Sequence, residues 1–252
     1  MRLFTADLQM HSCLSPCGSL ESSPARIARS AREKGLDLIA LTDHNTAGNC
    51  PTFADAVDRT SGLAAFFGLE VTSAEEVHLI CLFADAATAV SFGDLVRSRL
   101  PARENDPDRF GDQPIVDAED TIVGTEHAFL AGATSMPLDA IARETHERGG
   151  VIIASHIDRP INSLFSQLGM WPENATLDGC DLSPRATTAT WRPLVPPHVP
   201  FIRTSDAHYP EDIGRQRTAL RMAGPTFTEF RRALKAQDDR AVVIDQSPNG
   251  AT

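Results

Sequence analysis

Five of the eight histidines in this 252-residue sequence, His11, His44, His78, His156 and His208, follow short apolar runs or sit on one central hairpin, and Asp43, Glu70 and Asp206 stand beside them. Imidazole nitrogen and carboxylate oxygen together form the donor set of a borderline or hard divalent cation. Any single pair, such as Asp206 and His208, is explained as readily by a hydrogen-bonded Asp/His contact in a loop. Recurrence at successive strand ends is what a random scatter of histidines would not produce. Five imidazoles with two or three carboxylates exceed the four donors of one tetrahedral ion. They suit two or three ions that share a bridging carboxylate, for which Glu70 is the natural choice. Such ions generate hydroxide from a shared water at neutral pH and hold substrate oxygens against developing charge, a chemistry that fits phosphoester hydrolysis best.

Strands must carry these residues. Residues 3–8, 36–41, 151–154, 179–183 and 199–202 are apolar runs of strand length, each followed by polar residues. Between the first two, Ser22-Ser23-Pro24 caps a helix over 25–34 that Gly35 terminates. Strand, helix and strand make the crossover unit of an α/β protein, whose sites assemble at the C-terminal ends of the strands. Residues 64–72 and 77–83 are predicted to pair as a hairpin centred on Ala74, setting Glu70 opposite His78 with Cβ atoms roughly 4.5–5.5 Å apart. An extended segment over 204–209 would turn Asp206 and His208 to one face. Further helices are predicted over 53–59, 84–99, 136–149 and 226–236, a small hairpin over 115–124, a last strand at 220–222 and an edge strand at 241–244. The whole chain, 1–252, reads as one domain with an inserted helix and hairpin region at about 85–148 and a disordered tail from about 246. His127, His146 and His198 read as surface or structural residues.

Lys and Arg number 23 against 34 Asp and Glu, a net charge of -11 that argues against a long nucleic-acid partner gripped by bulk electrostatics. A small anionic substrate needs only a local positive centre, which a metal cluster supplies. Five cysteines without repeated spacing and no signal-like N-terminus point to the cytoplasm. Cys13 and Cys17 lack the second thiolate pair of a structural zinc site and read as small loop residues. No apolar run approaches the ~20 residues of a membrane span.

Taken in order, Asp7-Leu8-Gln9-Met10-His11-Ser12, Leu41-Thr42-Asp43-His44, Gly68-Leu69-Glu70, Val77-His78, Ser155-His156 and Ser205-Asp206-Ala207-His208 resemble the PHP (polymerase and histidinol phosphatase) superfamily of metal-dependent phosphoesterases. The resemblance spans residues 3 to about 215. It implies a distorted (β/α)7 barrel with two or three Zn, Mn or Fe ions at the C-terminal mouth of the strands. The implied ligands are His11, His44, Glu70, His78, His156, Asp206 and His208, with Asp43 orienting His44 or a strand-end backbone. Arg159 is the candidate phosphate-binding side chain, since a guanidinium takes two phosphate oxygens at once.

Two departures concern one ion. Gln9 stands where the family opens with histidine, and residues 15–19 lack the family's usual aspartate. Gln9 could ligate through its amide oxygen, more weakly than imidazole, and Cys17 could substitute as a soft ligand. The expected function is therefore cytoplasmic, metal-dependent hydrolysis of a small phosphorylated metabolite or nucleotide by a metal-activated hydroxide. The alternatives are a catalytically impaired PHP-like binding or regulatory module, and a metal-dependent amidohydrolase.

Overall fold

Continuous apolar runs form strands only where both faces are covered, and this chain covers them by curling its sheet. A computed structural model describes residues 1–174 and 176–243. Its strands are β1 (Arg2–Asp7), β2 (Leu38–His44), β3 (Ala64–Thr72), β4 (His78–Phe83), β5 (Pro114–Val116), β6 (Ile122–Thr125), β7 (Val151–Ala154), β8 (Gly179–Asp181), β9 (Phe201–Ile202), β10 (Thr218–Met222) and β11 (Ala241–Val243). All but β5 and β6 belong to one sheet of order β11-β10-β1-β2-β3-β4-β7-β8-β9. A parallel bridge between Met10 and Ala207 joins the continuation of β1 to the segment after β9, so β1, β2, β3, β4, β7, β8 and β9 make a nearly closed barrel. The expected barrel is thus observed, and its distortion is specific. β4 runs antiparallel to both β3 and β7 because a hairpin replaces a crossover.

Period-two alternation sorts the barrel interior into a floor and a mouth. Along β3, Phe66, Gly68 and Glu70 share a face. Phe66 packs against Phe227 and Phe230, with ring centroids 5.0 and 5.2 Å away, on the helix Phe227–Leu234. With Phe4, Leu38, Ile80, Ile153 and Leu220 they fill one end of the barrel with a dry apolar core. The opposite end is left to polar side chains. A second core lies outside the sheet, where the helices Pro24–Glu33, Cys50–Asp58, Ala86–Arg97 and Leu138–Glu147 bury Ile27, Phe53, Phe92 and Ile141 against it. Within the stretch 85–148, the helices Ala86–Arg97 and Leu138–Glu147 therefore belong to the outer layer, while the β5/β6 hairpin stands apart from the main sheet.

Two local expectations need correction. The β3/β4 hairpin pairs Thr72 with His78 and Glu70 with Ile80, so it is centred on Glu75 and not on Ala74. Its loop closes through Ser73 N to Val77 O at 2.9 Å, with Glu76 left-handed at φ 62°, while the Ala74 amide bonds Met136 O at 2.8 Å. An even shift of two residues preserves the face, so Glu70 and His78 meet diagonally. The segment after β9 is not extended, because Asp206 has φ 49° and the chain turns there. The expected tail from about 246, and the end of the edge strand at Ile244, lie outside the described residues. Among the described residues no helix is long and apolar enough to cross a membrane.

Gly68 sets the close approach of β3 and β4. A Cβ there would stand 2.0 Å from the Cys81 carbonyl oxygen. Gly68→Ala should therefore destabilise the fold by about 1–3 kcal/mol, read from chemical denaturation, and a stability within 0.5 kcal/mol of the parent would refute the contact.

Candidate metal centre

Glu70 lies two residues before the end of β3, in its buried half, with its side chain 1% exposed. A lone carboxylate at such a site is costly, and the neighbouring strand ends surround this one with imidazoles. His44 lies in register with it on parallel β2, its Nδ1 3.4 Å from Glu70 Oε2. His78 opens β4 with Nδ1 3.2 Å from Oε1. His11 Nε2 is 3.4 Å from Oε2, and His156 Nε2, just past β7, is 3.5 Å from Oε1. His156 has φ 28°, an uncommon left-handed value that turns the chain out of the strand at this residue. From the far side Asp206 Oδ1 comes within 3.1 Å of His11 Nε2, and the His208 ring stacks on His11 at 4.4 Å between centroids. The structure thus brings together His11, His44, Glu70, His78, His156, Asp206 and His208.

Burial pushes the Glu70 carboxyl up, but the fields of His78 and His44 and hydrogen bonds from His11 and His156 hold it well below the ordinary carboxylate range. Burial pushes His44 down to about 3, leaving a neutral ring with a free lone pair, as ligation requires. His11 goes the other way: burial opposes its charge, yet hydrogen bonds donated to Asp206 and Glu70 raise it well above its usual value. Asp181 is pushed up to about 8 by burial and by the nearby Asp206 charge.

Gln9 is at the centre, but its oxygen is engaged elsewhere. Gln9 Oε1 accepts from the Thr204 hydroxyl at 2.9 Å and from Ser155 Oγ at 3.2 Å, while Nε2 donates to Glu70 Oε1 at 2.8 Å and to Ser155 Oγ at 2.9 Å. An ionised carboxylate only accepts, so the amide nitrogen must be the end that faces it. Asp43 accepts from Ser12 N, Ser12 Oγ and Ser15 Oγ, each at 2.7 Å. It therefore anchors the loop after β1 and not the His44 ring. Its effect reaches the centre through Ser15, whose Oγ lies 3.0 Å from His11 Nδ1 and accepts from His44 N at 3.1 Å. Arg159 is half-exposed at the mouth and pairs with Asp206 at 2.7 Å. His127 is exposed, and His146 bonds Asp178 at 2.8 Å away from the centre.

Sequence reasoning missed Ser15, Ser155, Thr204 and Asp7. Asp7 is buried under the site and accepts from Ser205 N at 3.0 Å and Gly214 N at 2.8 Å, fixing the Asp206 loop. Of these missed residues only Ser155 carried a local signal, since it immediately precedes His156.

These donors fit a metal cluster. Three sets offer ligand atoms within 4.8 Å of one another: His11, Cys17, His44 and His208; His44, Glu70 and His78; and His11, Glu70 and Asp206. The buried Nδ1 of His156 has no hydrogen-bond partner among the described residues, and that of His78, although 3.2 Å from Glu70 Oε1, makes no aligned hydrogen bond. Such orphaned nitrogens are rare unless a ligand satisfies them.

A family model described as PHP domain matches residues 7–148, and a second, described as PHP-associated, matches residues 198–238. The chain belongs to the PHP domain family. Over 112 residues, 42% of the chain, it is 33% identical to the uncharacterized protein YqxK of Bacillus subtilis (strain 168), of which 29% is matched. The lesion-specific endonuclease EndoQ from Pyrococcus furiosus shares the fold with a TM-score of 0.70 at 20% identity, over 96% of this chain and 58% of that one. Endonuclease Q with a 27-mer duplex carrying an abasic lesion at its active site matches at TM-score 0.72 and 19% identity, over the same 96% and 58%. An amidohydrolase from Chromobacterium violaceum with bound sulfate matches at TM-score 0.61 and 18% identity, over 93% of this chain and 99% of that one. The PHP chain thus spans 58% of endonuclease Q and a smaller share of YqxK. Family membership and hydrolytic neighbours together support a metal-dependent hydrolase.

Removing the Asp43 anchor should loosen the centre without touching a donor. Asp43→Ala is expected to weaken Zn or Mn binding about 10–100-fold in chelator competition, and an unchanged affinity would show that the loop does not hold the ligands.

Proposed function

We propose that this PHP protein hydrolyses phosphoesters of a small phosphorylated metabolite or nucleotide, using two or three divalent ions, Zn, Mn or Fe. The observation that carries this reading is the buried Glu70 carboxylate ringed by His11, His44, His78 and His156, each within 3.5 Å. Glu70 is assigned as the shared ligand, with the four histidines, Asp206 and His208 completing the set. When bound, the ions supply a nucleophilic water at neutral pH and positive charge for the phosphate oxygens. Gln9 is assigned a different task from ligation: its Nε2 fixes one Glu70 oxygen and so orients the bridge. Thr204 holds the amide oxygen on the opposite side, while Ser155 bonds both ends of the amide.

Arg159 serves as the phosphate-binding side chain. Half-exposed and paired with Asp206, it needs only to exchange a carboxylate for a dianionic phosphate, which accepts two guanidinium hydrogen bonds. That exchange also frees Asp206 towards the cluster. Asp43 acts through the loop it anchors and not on substrate.

A phosphodiester within nucleic acid is the second reading, favoured by the fold shared with endonuclease Q. Net charge describes the far field, whereas the local field at the mouth is set by its own residues, Arg159 among them.

Protein reconstituted with Mn or Zn, assayed on phosphomonoesters, 3',5'-bisphosphates, an abasic-site duplex and N-acyl substrates, separates these readings. Phosphomonoester or bisphosphate turnover that falls at least about 100-fold in His78→Ala is the expected result; equal rates in parent and variant would sink the site assignment. Turnover of the duplex alone selects the second reading, and of N-acyl substrates alone an amidohydrolase. Gln9→His tests whether the departure impairs catalysis. If Gln9 is a clamp, the parent is active and fully metallated, and the variant gains less than about threefold; a gain above tenfold in metal content and rate would mark the parent as degenerate.

A further inference from the structure

We propose that Cys17 is a thiolate ligand of the ion at the mouth of the barrel, completing with His44 and His208 a three-donor site. The inference rests on the metal-centre reading above and concerns this chain's own departure from the family pattern.

The five cysteines divide by environment. Cys13, Cys50, Cys81 and Cys180 are buried, and each thiol lies by a carbonyl or amide of the packed interior, as with Cys50 Sγ at 3.6 Å from Gly68 O. Burial pushes the Cys13 and Cys81 thiols up to about 12 and raises that of Cys17 as well, so what sets Cys17 apart is its exposure and its neighbours. Cys17 alone is exposed, and its sulfur lies within 4.8 Å of ligand atoms of His11, His44 and His208. Between Ser15 and Ser19 no other side chain can carry negative charge.

The loop holding Cys17 is fastened to the segments that carry its partner rings. Ser15 bonds His11 and His44, and Ser19 N donates to His208 O at 2.8 Å. Both neighbours of Cys17 are pinned as well. A Cβ on Gly18 would stand 2.4 Å from Ser12 O, and the Pro16 carbonyl oxygen lies 2.3 Å from where a Gly111 Cβ would be. The backbone on both sides of Cys17 is therefore fixed by packing, and the sulfur it carries reaches the three rings. Both His11 nitrogens are engaged, Nδ1 by Ser15 Oγ and Nε2 by Glu70 and Asp206, whereas His44 meets Glu70 through Nδ1 alone, which leaves its Nε2 with Cys17 and His208 for the outer ion. Three protein donors with an open fourth position are the pattern of a site that exchanges water or substrate.

Binding exchanges the S–H bond for an S–metal bond and releases the thiol proton to solvent. Thiolate is soft, so this position should select Zn or Fe(II) over Mn and Mg, whereas the Glu70 positions accept either class.

The test is X-ray absorption at the zinc edge on Zn-loaded protein, backed by the visible spectrum of the Co(II) form, for the parent, Cys17→Ser and Cys13→Ser. Expected are one sulfur scatterer at about 2.3 Å and a thiolate charge-transfer band in the parent. Both should persist in Cys13→Ser and vanish in Cys17→Ser, whose bound zinc should fall by one ion with its circular dichroism unchanged. Nitrogen and oxygen scatterers alone in fully metallated parent would overturn the proposal, as would a sulfur signal that survives Cys17→Ser. Protein that takes up no metal would remove both this proposal and the phosphoesterase reading. A sulfur signal without turnover of any phosphoester would remove the latter alone.

Discussion

The burial of one negative charge, on Glu70, constrains everything around it. A carboxylate 1% exposed pays a desolvation cost of several kcal/mol that only opposite charge and hydrogen bonds can offset. No single neighbour supplies them. His44 comes from the adjacent parallel strand, His78 from the hairpin partner, His156 from beyond β7 and His11 from beyond β1, so the compensation exists only when the barrel is assembled. The apolar floor formed by Phe66 and the helix Phe227–Leu234 keeps this polar layer at one end.

Positioning is accomplished by backbone at the places where strands stop. His156 and Asp206 both carry positive φ, with 28° and 49°, so the chain departs sharply just where it delivers a side chain inward. These turns are fastened from beneath by carboxylates that never enter the centre: Asp7 takes the amides of Ser205 and Gly214, Asp181 those of His156 and Thr204, and Asp43 the loop of Ser12 and Ser15. The outcome is an arrangement of donors that is rigid before any ion binds, which is the condition for a site to impose geometry on its metal.

The two departures from the family pattern both meet the cluster of donors. Gln9 brings an amide in place of an imidazole and gives a hydrogen bond to Glu70. Cys17 brings a sulfur within 4.8 Å of ligand atoms of His11, His44 and His208. A neutral clamp and a soft donor would together move the metal preference of the outer position without moving the fold.

What the sequence by itself determined was local and periodic. Strand-end motifs marked the donors, alternation put Glu70 and His78 on one face, and composition denied a membrane-spanning helix. Alternation survives a register shift of two, which is why the pairing of Glu70 with His78 was legible although the hairpin centre was not. The centre itself lay outside local reasoning: it was set by five loop residues and by the Ala74 amide reaching Met136. Tertiary structure also decided the closure of Met10 on Ala207, which brings His11 to Asp206 across 195 positions. The same closure decided which end of the Gln9 amide meets Glu70 and where Cys17 points. The physical reason is common to all of these. Residue type and period act over a few positions, whereas the direction of a polar side chain is chosen by partners that only the folded barrel brings within hydrogen-bond reach.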